Sequence, residues 1–141
     1  MATLLDQTPD DIEEAVIVWL SSLCRIAVTR RTDDPLPFRI VRNIAGDEKV
    51  DEGIAEVVVQ IRTLCDKALG EDAARNESDK THRAMLTIAR ELPDILLSNG
   101  RNATIDYLKV FESPHWMDYP NDQILCKLAR YQLGLSYAPA A

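Results

Sequence analysis

Scarcity marks this chain first: of 141 residues only five are glycine, three cysteine, two tryptophan, four tyrosine and two phenylalanine. Gly46, Gly53, Gly70, Gly100 and Gly134 stand too far apart to build a phosphate-cradling loop or a dinucleotide fingerprint. Cys24, Cys65 and Cys126 are odd in number and widely spaced, so the short-spaced pairs of a zinc site are missing. Reduced, partly buried thiols are the expectation for all three. Basic residues are thin as well. Sixteen Lys and Arg face 23 Asp and Glu, for a net charge of −7, and Arg30–Arg31 is the only adjacent basic pair. A nucleic-acid binder needs concentrated basic charge to displace phosphate counterions, so DNA binding is not expected as the primary role. No apolar run approaches the roughly 18 residues of a membrane span. MATLLDQTPDD shows no basic segment ahead of an apolar one, so neither a membrane partner nor a secretory signal is expected.

What is present fits one ordinary domain, with 46% hydrophobic and 28% charged residues. Thr8-Pro9-Asp10-Asp11 reads as a helix start, with Thr8 as the cap and acids opposing the helix dipole. Ile12, Ala15, Val16, Trp19, Leu20 and Leu23 follow as an apolar stripe at helical period. Strands are expected at 25–31, at 38–45 with Phe38, Ile40 and Ile44 on one face, and at 54–64 with Ala55, Val57, Val59 and Ile61 on one face. Gly46 to Gly53 reads as a polar loop. A second helix is expected from about Glu71 to Leu92, striped by Ala74, Ser78, Thr81, Met85, Ile88 and Leu92 and ended by Pro93. Its charged residues read as a solvated face with i,i+4 pairs. Asn99-Gly100 is a turn signal, and 103–111 and 125–137 complete the strands. The last should place Leu125, Ala129, Tyr131, Leu133, Leu135 and Tyr137 inside, and Arg130, Gln132 and Ser136 outside. The expected fold is therefore α+β: a single domain over 1–141, with a mainly antiparallel or mixed sheet of about five strands. Two main helices cover one face, in the order α-β-β-β-α-β-β.

Chemistry is harder to find. Ser113, His115 and Asp118 lie close in sequence, but hydrolytic triads draw their members from separately supported elements. His82 beside Ser78 and Met85 reads as a satisfied, half-buried histidine, and Trp19 as a core anchor. No catalytic, cofactor-binding or metal-binding residues are assigned, and no enzyme is expected. The aromatic residues are biased instead: Tyr107, Phe111, Trp116, Tyr119, Tyr131 and Tyr137 all follow residue 106. VFESPHWMDYPNDQ, from Val110 to Gln123, mixes them with Pro114 and Pro120 in what reads as a connection between strands. That mixture describes a protein–protein surface better than a pocket, the alternative being that Trp116 folds back over the sheet edge. The acidic Asp47, Glu48, Asp51 and Glu52 form a second candidate contact surface.

LPFRIVRNIAG, TLCDKALGEDAARNESDKTHRAMLTIARE, VFESPHWMDYPND and RYQLGLSY together resemble the tail terminator proteins of long-tailed phages, particularly those of actinobacteria. The likeness runs from about Ile12 to Tyr137 and rests on packing and turn patterns. The resemblance implies a non-enzymatic virion component without cofactor, assembled in the host cytoplasm. Six copies would form a ring that caps the tail tube, ends its growth and joins it to a head-side stopper or connector. Genomic DNA would pass through the channel without specific binding. The alternatives are a head-completion or other neck protein and, from another class, a small bacterial binding or regulatory domain. The contact residues expected are Asp47, Glu48, Asp51, Glu52, Pro114, Trp116, Tyr119 and Pro120.

Overall fold

The computed structural model describes residues 7–8, 11–23, 25–49, 52–136 and 138–139. Pro9, Asp10, Cys24, Asp51 and Tyr137, on which some expectations fall, lie outside them. The order is β1 (Gln7–Thr8), α1 (Ile12–Trp19), β2 (Arg25–Ala27), β3 (Phe38–Lys49), β4 (Ile54–Asp66), α2 (Glu71–Glu91), β5 (Asp94–Leu96), β6 (Asn102–Met117), β7 (Ile124–Ser136) and β8 (Ala138–Pro139). A six-stranded sheet runs β2-β3-β4-β7-β6-β5, and β1 pairs with β8 in a two-stranded ribbon. Every pairing in the large sheet is antiparallel except β2 with β3. The fold is thus α+β with a mixed sheet, as the sequence implied, with β5 and the short ribbon added.

Strand parity sorts the sheet into two faces. Val57, Val59 and Ile61 of β4 register with Leu133, Tyr131 and Ala129 of β7. They meet Ile12, Ala15 and Val16 of α1 and Met85 and Ile88 of α2 in the main core. A smaller cluster on the opposite face holds Phe38, Leu64, Ile124 and Cys126, with Ile40 and Tyr119 packed against it.

Helix α1 starts one turn later than expected. Asp11, not Thr8, is the cap, and its carboxylate accepts the N–H groups of Glu13 (3.0 Å) and Glu14 (3.3 Å). The acids behind it tie the helix to the sheet: Glu13 accepts the backbone N–H of Asn43 at 2.8 Å, and Glu14 that of Ser98 at 2.6 Å. Trp19 is the expected anchor, its indole N–H donating to the Ala84 carbonyl of α2 at 2.8 Å. On α2 the stripe holds through Ile88, but Leu92 is exposed. It adopts the left-handed conformation (φ 45°) and caps the helix, because the following Pro93 disfavours a helical residue before it.

Phe38 and Ile40 share a face of β3 as expected, and Ile44 does not join them. Arg39 and Val41 point under the helices, Phe38 and Ile40 point away, and Ile44 is the extra residue of a bulge between Asn43 and Ala45. The two segments read as loops are largely strand. Gly46, Asp47 and Glu48 pair with Val57, Glu56 and Ala55, so β3 runs on to Lys49 before β4 begins at Ile54. Likewise β6 continues to Met117, leaving residues 118–123 as the turn. Pairing of His115, Trp116 and Met117 with Leu128, Lys127 and Cys126 carries the strand past Pro114, which sits at an irregularity between Glu112 and His115. An edge strand tolerates proline there because no ladder donor is lost.

Candidate assembly surface

The two hairpins end far apart. Ile54 at the start of β4 pairs with Ser136, and Asp66 at its end pairs with Ile124. The acidic β3–β4 turn and the aromatic β6–β7 turn therefore cap opposite ends of one sheet. Helix α2, with 21 residues, spans about 30 Å. Strand β6, with 16, reaches roughly 50 Å before bulges shorten it. The helical cover is thus shorter than the sheet, and the strand ends carry exposed side chains.

At the aromatic end, β5 covers β6 only over residues 102–104, so the outer edge of β6 from Ile105 onward has no neighbouring strand among the described residues. Along it Phe111 is 58% exposed and Trp116 41%, with Val110 and Met117 similarly open. Trp116 lies on the helix-covered face, between cations: the Lys127 ammonium is 5.0 Å and the Arg75 guanidinium 5.7 Å from its ring centre. Each cation–π contact is of the exposed kind, about 0.5–1 kcal/mol, enough to orient the ring without burying it. The indole is folded toward α2 and still presents a large open area. Tyr119 sits on the other face, packed on the smaller core. Pro114 is half-buried and Pro120 exposed. Trp116, Tyr119 and Met117 line a cavity of about 550 Å3 together with Lys67, Glu71 and Asp118. An Asx turn closes this end, the Asn121 carboxamide accepting the Gln123 N–H at 2.9 Å.

At the acidic end Asp47, Glu48 and Glu52 are all exposed. Asp47 and Glu48 project to opposite faces from the outer edge of β3, which has no neighbouring strand there among the described residues, and charged side chains on such an edge discourage indiscriminate strand pairing.

The histidines are held structurally. The His82 Nδ1 is 2.7 Å from the Tyr131 hydroxyl. Burial pulls the His82 pKa below its ordinary value, against the pull of Asp79, and burial also raises that of the Tyr131 hydroxyl. His115 places Nδ1 2.9 Å from the Ser113 carbonyl and Nε2 3.7 Å from Glu112, so that nitrogen engages the backbone of Ser113 and not its hydroxyl. Among the described residues no group of three or more His, Cys, Asp or Glu is placed to hold a metal ion, and no helix is long and apolar enough to cross a membrane.

Two features escaped the sequence reading. Arg39 is 0% exposed; its Nε donates to the Thr81 hydroxyl at 2.6 Å and one Nη to Glu77. Its strand neighbours alternate as a surface strand would, and parity with Val41 was the one available signal. The second is the polar sheet face, where Arg130 bridges Glu112 (2.6 Å) and Gln60 (3.0 Å) across three strands. No protein-family model matches the chain, and no curated protein matches it.

Proposed function

We propose that this chain is a phage tail terminator: a ring-forming structural protein that caps the tail tube, ends its polymerisation and joins it to the head-side stopper or connector. The observation that carries the reading is the pair of unlike ends on one sheet, one acidic and one aromatic. A tube grows because each ring presents the next with the same head-to-tail surface. A terminator must engage that surface at one end and withhold it at the other, which requires two chemically different ends. The segments that resemble tail terminators supply both ends and the sheet between them. The aromatic end is assigned to the tube, because exposed Trp and Phe on an open strand edge match the composition of interface hot spots. The ring is assigned six copies, with DNA passing through without specific contact.

The test adds purified chain to polymerising tail-tube subunits of the same particle and images the products by electron microscopy. Tubes that stop growing and carry a six-fold ring at one end are the expected result. Tubes of unchanged length, with the chain bound only to the head connector, would identify a head-side neck protein instead. No binding to either would point to a binding or regulatory domain outside the virion.

A further inference from the structure

Arg30, Arg42 and Arg62 line a single cavity of about 450 Å3 on the sheet face that the helices leave open, with Ile40 and Ile44 beside them and no carboxylate in its wall. In a chain of net charge −7 this is an anomaly. None of the three guanidinium groups is in an ion pair among the described residues. Arg30 donates to the backbone carbonyls of Asp34 (2.6 Å) and Thr32 (3.4 Å), and Arg42 to that of Val28 (3.0 Å). The Nε atoms of Arg30 and Arg62 are buried with no acceptor at all. Backbone carbonyls orient a guanidinium but do not neutralise it, and buried donors without acceptors carry a desolvation cost.

We propose that the occupant of this cavity is the acidic β3–β4 tip of a second copy of this chain, with Asp47, Glu48 and Glu52 supplying the carboxylates. The charges are complementary, and none of Asp47, Glu48 and Glu52 lines the cavity of its own copy, so a tip can enter a neighbour's cavity while its own cavity is filled. That is a heterologous contact, which closes into a ring when the rotation between copies allows. Ile44, exposed at the bulge of β3, adds apolar area at the cavity rim. Duplex DNA is the less suited anion. The arginines are gathered in one concavity, not laid along a phosphate track, and the chain as a whole carries a net charge of −7.

The inference deepens the ring reading and rests on it. It is tested by charge exchange between copies. One variant carries Asp47→Lys with Glu48→Lys, and the other carries Arg42→Glu, chosen because Arg42 is exposed and its replacement need not disturb folding. Sedimentation velocity at low ionic strength, over rising concentration, should show wild-type association that weakens with salt. Each variant alone should associate about tenfold or more weakly. An equimolar mixture should recover, because the lysine tip of one meets the glutamate cavity of the other and the native pair remains. A wild type monomeric at every concentration, or a mixture no better than its parts, overturns the proposal. Duplex DNA binding that Arg42→Glu abolishes, without recovery in the mixture, assigns the cavity to nucleic acid and overturns it too. The readout is copy–copy contact alone, so a chain that stops tube growth yet fails here refutes the contact and leaves the terminator reading standing.

Discussion

Arg39 is the residue whose environment departs most from its sequence. Its charge is removed from water and met by Glu77 at 3.3 Å, the Glu77 carbonyl at 3.0 Å and Thr81, while one Nη has no acceptor. A buried pair of this kind adds little net stability, but removing one partner strands the other. Arg39→Ala should therefore destabilise the protein by about 3–5 kcal/mol in denaturant titration, and Arg39→Met, which fills the volume, by clearly less. Burial alone would raise the Glu77 carboxyl; hydrogen bonds and charge from Lys80 and Arg39 outweigh it and hold the pKa below the ordinary 4.5. A carboxyl depressed in the folded state contributes stability that is present above its unfolded pKa and lost as pH falls through the folded value. Stability measured from neutral pH downward should thus fall less steeply below 4.5 in Glu77→Gln than in the wild type. Cys126 lies at the other extreme. Burial pushes its thiol up to about 11, with Arg62 offsetting part of the shift and Cys65 adding to it. At pH 8 about one molecule in a thousand is thiolate, so iodoacetamide should label Cys126 only after unfolding, as read by peptide mass spectrometry. Cys126 was expected as a buried, reduced thiol and is one; the partners of Arg39 were not legible, since they lie on α2, 38 or more residues away in sequence.

At the scale of elements, legibility tracked how local the determining interaction is. Helix α2 was readable to within a residue because its stripe, its Pro93 stop and its i,i+4 pairs are local: Arg75 with Glu71 and Arg83 with Asp79. The inner face of β7 was readable from Ala129 onward, where Ala129, Tyr131, Leu133 and Leu135 all enter the main core; nearer its start Leu125 is only half-buried, and Ile124, Cys126 and Leu128 are buried instead. The ends of β3 and β6 were not. Gly46, Asp47, Ser113 and Pro114 look like loop residues in isolation, and only pairing with β4 and β7 holds them extended. Short β5 was missed for the same reason, its three residues being fixed by β6 alone. One cross-strand contact makes the dependence testable. Gly134 faces Tyr107 at the bulge after Ile105, and a Cβ built there would overlap the phenol ring. Gly134→Ala should cost about 1–3 kcal/mol, the usual range for forced overpacking. In a Tyr107→Ala background the same change should be nearly neutral, and a thermal-denaturation double-mutant cycle checks this coupling. An equal loss in both backgrounds would place the strain in the glycine backbone instead.

At the scale of the molecule, the helices sit on one face, the sheet outruns them, and its two ends differ in chemistry. Composition alone suggested an assembly surface in the Trp116 segment. It could not separate Trp116 from Tyr119, because only the folded chain pairs Trp116 with Lys127 in β6 and packs Tyr119, in the turn that follows, on the smaller core of the opposite face. That separation sharpens the functional expectation. Tyr119 packs on the smaller core, so Tyr119→Ala should lower stability as well as any binding. Trp116, 41% exposed and flanked by Lys127 and Arg75, contributes little to the core, and Phe111, 58% exposed, contributes less. Trp116→Ala and Phe111→Ala should each leave a folded protein with a melting temperature close to wild type. Truncating a central aromatic contact typically costs about 2 kcal/mol or more, close to a thirtyfold loss of affinity per site. Repeated around a ring, such losses compound through multivalency, so the assembled cap should fail more sharply than a single copy does. Tube-length distributions in the presence of each variant provide the measurement. Overlong tubes with Trp116→Ala or Phe111→Ala, at unchanged melting temperature, are the expected outcome. Normal termination by both variants would remove the aromatic end from the tube contact.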